Sequence, residues 1–102
     1  MSSSQPDAQV DTELSDAIVA YVGTIHDRPD ALAAHAGRRS PEELRAEIQS
    51  LMSELWGVPV DARGITVWEE CRLVHDVFAP RHPELSKQAV DAMLMRYAWA
   101  NR

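Results

Sequence analysis

Apolar residues recur along this chain at spacings of three and four, and nowhere in sustained alternation. Leu14, Ile18, Tyr21, Val22 and Ile25 fall on one face of a 3.6-residue repeat, with Asp16 and Thr24 outside it. The pattern predicts an amphipathic helix from about Thr12 to His26, capped by Asp11 or Thr12. Pro29 pushes Arg28 out of the helical region and opens a short second helix, "PDALAAHAG", over about Pro29 to Ala36, with Gly37 as its stop. In "SPEE", Ser40, Pro41 and Glu43 form a capping box, and Leu44, Ile48, Leu51, Met52 and Leu55 carry the apolar stripe of a third helix. Gly57 ends that helix and Pro59 prevents its resumption.

After the loop "VPVDARG", Thr66 and Glu69 form a second capping box, and a fourth helix runs until just before Pro80. "PRHP" is a stiff connector. A fifth helix starts at Pro83 or Glu84 and runs toward Ala100, its core side made of Leu85, Ala89, Val90, Met93, Leu94 and Tyr97. Residues 1–10 are small and polar without periodicity, and read as a disordered tail ahead of a single helical domain, 11–102. The expected fold is an all-α bundle of four main helices and one short one.

The "TVWEECRLVHDVFAP" segment, residues 66–80, concentrates groups that could carry chemistry. With Cys71 at the centre of the helical wheel, Val67, Val74, Phe78 and Trp68 lie within about 60° on either side. Glu69, Arg72 and Asp76 share the opposite, solvated face. Glu70 and His75 intrude on the two flanks of the apolar arc. They lie about 140° apart, so they cannot act together from this helix alone. Glu70, Cys71 and His75 are therefore a candidate buried polar site. Cys71 and His75 at i,i+4 could share a metal, but a closed zinc site needs four ligands and no others stand at ligand spacing. A Cys–His nucleophile needs an electropositive, partly exposed setting, whereas Cys71 sits mid-arc beside Glu70. The dipeptide His-Asp occurs twice, at His26–Asp27 and His75–Asp76, and carries no weight. Without a P-loop, G-x-G-x-x-G, G-x-S-x-G or H-E-x-x-H motif, no catalytic residue, metal or cofactor is assigned.

Two other features suit a protein partner. Glu43, Glu47 and Glu54 cluster within about 40° on the third helix, an acidic stripe that a basic partner would relieve. Met95 and Trp99 project opposite the core side of the last helix, as anchors for a docked protein or a second copy of the chain.

Charge narrows the alternatives. A net charge of −6 over 102 residues disfavours a nucleic-acid binder, which needs a basic face. The last two helices resemble a helix-turn-helix only loosely, since Lys87 is the one early cation of the reading helix. No apolar run reaches the ~20 residues of a membrane span, and "MSSSQPDAQVDTE" has no secretory h-region. A single cysteine gives no internal disulfide, so the cytoplasm is expected. Nine arginines to one lysine, and fourteen alanines, are the bias of GC-rich codons and point to a bacterial source. The leading expectation is a small protein-binding module: a regulator, an adaptor or an inhibitor. The alternatives are a ligand- or metal-binding bundle or small enzyme built on His75, Glu70 and Cys71, and then a DNA-binding regulator.

Overall fold

The computed structural model describes residues 10–22, 29–61 and 63–100. Within these, the chain is all-α: α1 Thr12–Val22, α2 Pro29–His35, α3 Pro41–Trp56, α4 Val67–Phe78 and α5 Lys87–Ala100, with a 3₁₀ turn at Ala79–Arg81. Apart from Val10, the expected tail lies outside the described residues, as do the expected end of the first helix at His26 and the core position assigned to Ile25.

Local chemistry explains most of the helix starts. Asp11 caps α1, its Oδ1 accepting from the Leu14 amide at 3.1 Å. Both capping boxes form: Ser40 and Glu43 exchange bonds of 2.8 and 3.1 Å, and Thr66 and Glu69 do the same. Each box satisfies two backbone N–H groups that the first turn would otherwise leave unpaired. Gly57 ends α3 in the right-handed region at φ −84°, so the left-handed freedom of glycine is not what stops this helix. Pro59, two residues on, is the remaining stop.

The start of α5 differs from expectation. Pro83 and Glu84 lie in a turn, and the helix begins at Lys87. Ser86 is the reason: its hydroxyl accepts from the Ala89 amide at 3.1 Å and its carbonyl from the Val90 amide at 3.1 Å. The 3₁₀ turn carries the chain past Pro80, which occupies the first-turn position where its missing N–H costs nothing.

The core is continuous. Leu14, Ile18, Tyr21 and Val22 of α1 meet Leu44, Ile48 and Leu55 of α3 and Ala89, Val90, Met93 and Tyr97 of α5. α1 is the central element, packing on α5, α2 and α3, whereas α4 packs chiefly on α5 and the 3₁₀ turn. α4 contributes Cys71, Val74 and Phe78 to the core. Leu94, assigned to the core side of α5, is only partly buried.

Polar junctions pin the termini of these helices. Arg39, in the α2–α3 loop, bonds Asp11 and Glu13 at the start of α1 and Glu47 on α3, at 2.5, 2.8 and 2.6 Å. Buried Ser15 accepts from the Ser86 amide at 3.0 Å, and the Asp11 amide donates to the Glu84 carbonyl at 2.7 Å, so α1 is tied to the α4–α5 connector. Among the described residues, every buried side-chain nitrogen and oxygen has a partner.

Candidate partner-binding surface

The three polar residues of α4 go to three different places. Glu70 turns toward α5 and accepts the Tyr97 hydroxyl proton at 2.5 Å. Burial, and then the hydrogen bond to Glu70, push the Tyr97 phenol up to about 12, so it remains a donor. Cys71 is buried with its thiol 3.9 Å from the Leu94 carbonyl. Burial first, and the Glu70 charge second, raise this thiol above its ordinary value, the reverse of an activated nucleophile. The His75 side chain is 45% exposed and stands beside Asp76, 3.4 Å from its carboxylate. These residues do not converge on one point, and among the described residues no three His, Cys, Asp or Glu side chains are grouped to hold a metal.

The acidic stripe of α3 is matched from within. Glu43 is bound into its capping box, Glu47 pairs with Arg39, and Glu54 meets His82 Nε2 at 2.8 Å with Arg81 at 4.0 Å. The basic groups that relieve the stripe include Arg39 and His82 of the same chain. His82 also faces Glu84 through Nδ1 at 3.0 Å, and its ring leans on Phe78 at 4.6 Å. Burial opposes charging of this imidazole, but the bonds to Glu54 and Glu84 outweigh it and raise its pKa above the ordinary 6.5.

Met95 and Trp99 are respectively 49% and 50% exposed. They sit with Ala98 on one wall of a cleft of about 290 Å³, whose other wall is Val67 and Trp68 from the start of α4. Trp68 was expected on the apolar arc facing the core, yet it is 63% exposed. It sits at the edge of that arc, and α5 fills only the centre, where Cys71, Val74 and Phe78 are buried. Leu73 and Val77 of α4 are also exposed. Of the seven large apolar side chains exposed among the described residues, five lie on the α4–α5 hairpin. Trp68 lies at the edge of the apolar arc around Cys71, whereas Leu73 and Val77 lie outside it, toward the solvated face.

Trp56 was assigned no role from sequence. It is 41% exposed and meets Tyr97 edge-on, with centroids 5.1 Å apart and planes at 70°. Compared with family models, curated proteins and solved structures, the chain has no match. No helix among the described residues is long and apolar enough to cross a membrane.

Proposed function

We propose that this chain is a small cytoplasmic protein-binding module, in which the cleft between α4 and α5 receives an apolar side chain of a partner protein or of a second copy. The observation that carries this reading is the concentration of uncovered apolar surface around Trp68, Met95 and Trp99. Tryptophan and methionine are enriched in interface cores, and tryptophan most of all among residues that dominate binding energy.

The scale of the surface supports a reversible contact. The exposed parts of Trp68 and Trp99 together offer roughly 250 Å², so covering them contributes on the order of 6 kcal/mol before the costs of association. Lost translational and rotational freedom offsets much of that gain, and a permanent dimer buries roughly 1,000 Å² or more on each partner. A regulator or adaptor that engages and releases its target fits this range.

Sedimentation velocity and partner capture test the reading, with wild type compared against Trp68→Ser and Trp99→Ser and with Trp56→Ser as the control. Loss of association in the first two variants, with helicity retained and the control unaffected, is the expected result. Association unchanged in both would refute it.

A further inference from the structure

The connector between α4 and α5, residues 79–86, is fastened to α1 and to α3 by different chemistry. Toward α1 the bonds are between uncharged groups: the Asp11 amide donates to the Glu84 carbonyl, and the Ser86 amide to the Ser15 hydroxyl. Toward α3 the fastening is His82. Its Nε2 stands 2.8 Å from Glu54 Oε2, and its Nδ1 stands 3.0 Å from Glu84 Oε2. We infer that His82 is a proton-operated latch: as the imidazolium it holds the end of α3 to the connector, and on losing a proton it releases Glu54 while the bonds to α1 stay closed.

An imidazolium has two N–H donors, whereas the neutral ring has one N–H and one bare nitrogen. An ionised carboxylate only accepts. With a carboxylate at each ring nitrogen, both are satisfied only when the ring is charged. After deprotonation one carboxylate faces a lone pair at hydrogen-bond distance, and that contact opens. Sequence separation decides which. Glu84 is two residues from His82 and is held there by the local turn, while Glu54 is 28 residues away and meets the ring only if α3 is held to the connector. The Glu54 side chain is 37% exposed and lies 4.0 Å from Arg81, so it has water and a second cation to turn to.

The other charges near the ring do not compete for its protons. Asp11, which reaches the connector from α1, has its carboxylate on Arg39, and so does Glu47, which lines a small cavity beside Glu84. From α4 the ring meets Phe78, which carries no charge. Burial favours the neutral imidazole, but the bonds to Glu54 and Glu84 outweigh it, so the latch is closed at pH 6.5 and opens as pH rises beyond that. The latch lies at the connector end of the hairpin, whereas the cleft of Trp68, Met95 and Trp99 lies at the other end. The two readings therefore stand or fall separately.

The experiment is NMR of the full ¹⁵N-labelled chain between pH 5.5 and pH 9. It follows the His82 ring nitrogens together with amide hydrogen exchange, corrected for the intrinsic pH dependence of exchange. The expected ring midpoint is above 6.5. Through that same midpoint, the amides of residues 55–58 at the end of α3 should lose protection about tenfold, the worth of one charge-assisted bond, while those of Asp11 and Ser86 keep theirs. In Glu54→Gln, the side-chain amide can accept from an N–H or donate to a bare nitrogen, so protection at the end of α3 should no longer follow the ring, and the ring midpoint should fall. A wild-type midpoint at or below 6.5 would overturn the latch. So would unchanged protection of residues 55–58 across the titration, an equal loss at Asp11 and Ser86, or a pH dependence that survives in Glu54→Gln.

Discussion

The two halves of this molecule finish their surfaces in different ways. Across α1, α2 and α3, a group of outward carboxylates is matched inside the chain: Arg39 gathers Asp11, Glu13 and Glu47, and His82 takes up Glu54. On the α4–α5 hairpin, Trp68, Leu73, Val77, Met95 and Trp99 stay uncovered. α4 has one main neighbour while α1 has three, so the second half buries less of its apolar surface. The lesson is that the fold supplies cations of its own, Arg39 and His82, to the crowded charges on α3, whereas nothing within the described chain covers the exposed apolar side chains of the hairpin.

Substitutions in the charged half should cost stability. Arg39→Ala leaves three carboxylates facing one another at the junction of α1 and α3. We expect a loss of about 2 kcal/mol, discounted for the exposure of Glu47, and a midpoint lower by roughly 10 °C in a thermal melt. Retained stability in this variant would break the contrast between the halves.

The same junction gives acid sensitivity. The Arg39 hydrogen bond lowers the Asp11 pKa below its ordinary 3.8. At Glu13 desolvation acts upward, but the bonds from Arg39 outweigh it and leave the pKa below 4.5. Both contribute stability that is present above the ordinary carboxylate range and lost as pH falls through the lowered folded values. A urea series from pH 6 to pH 2 should show that loss in wild type and much less of it in Arg39→Ala.

Gly37→Ala comes next. A Cβ at this position would stand 2.8 Å from Glu13 Oε2, and Glu13 is held by Arg39, so it cannot move aside freely. A loss of about 1 kcal/mol in chemical denaturation is expected, and combining it with Arg39→Ala should cost less than the sum, since the freed Glu13 can then swing away.

His82→Gln has a smaller, pH-dependent effect. With both ring nitrogens facing carboxylates, the imidazolium is the favoured form, and its folded pKa is raised above 6.5. Its stabilisation is fully present below about 6.5 and fades as pH rises through the raised value, the opposite direction to the Arg39 junction. The variant should lose about 0.5–1 kcal/mol at pH 5.5, after screening at Glu54, and progressively less at higher pH. A loss independent of pH would show that packing against Phe78, not charge, is what His82 supplies.

How legible these features were depends on sequence separation. Both capping boxes were readable because their partners are three residues apart and the backbone fixes their geometry. The helical stripes of α1, α3 and α5 were readable for the same reason. The Arg39 junction was not, because Asp11 and Glu13 lie on a different helix and only the fold brings them to the guanidinium. Ser86 was overlooked as the α5 cap because Pro83 offered an earlier start with equally good local chemistry. Trp68 was misjudged because a helical wheel shows which residues share a face and not how wide a neighbour covers it. Glu70 is legible as an intruder on the apolar arc, but its acceptance of the Tyr97 hydroxyl is not, because Tyr97 lies on another helix. His75, the other intruder, faces the carboxylate of the adjacent Asp76.

The smallest expected change in stability belongs to the most direct test of the partner-binding surface. The double variant Trp68→Ser/Trp99→Ser removes side chains that are more than half in solvent or at its boundary. Its unfolding free energy should stay within about 0.5 kcal/mol of wild type. The decisive measurement is its sedimentation velocity and partner capture beside wild type at equal concentration. The account predicts that an intact fold loses the associations that wild type makes. A folded double variant that keeps every one of them would contradict it.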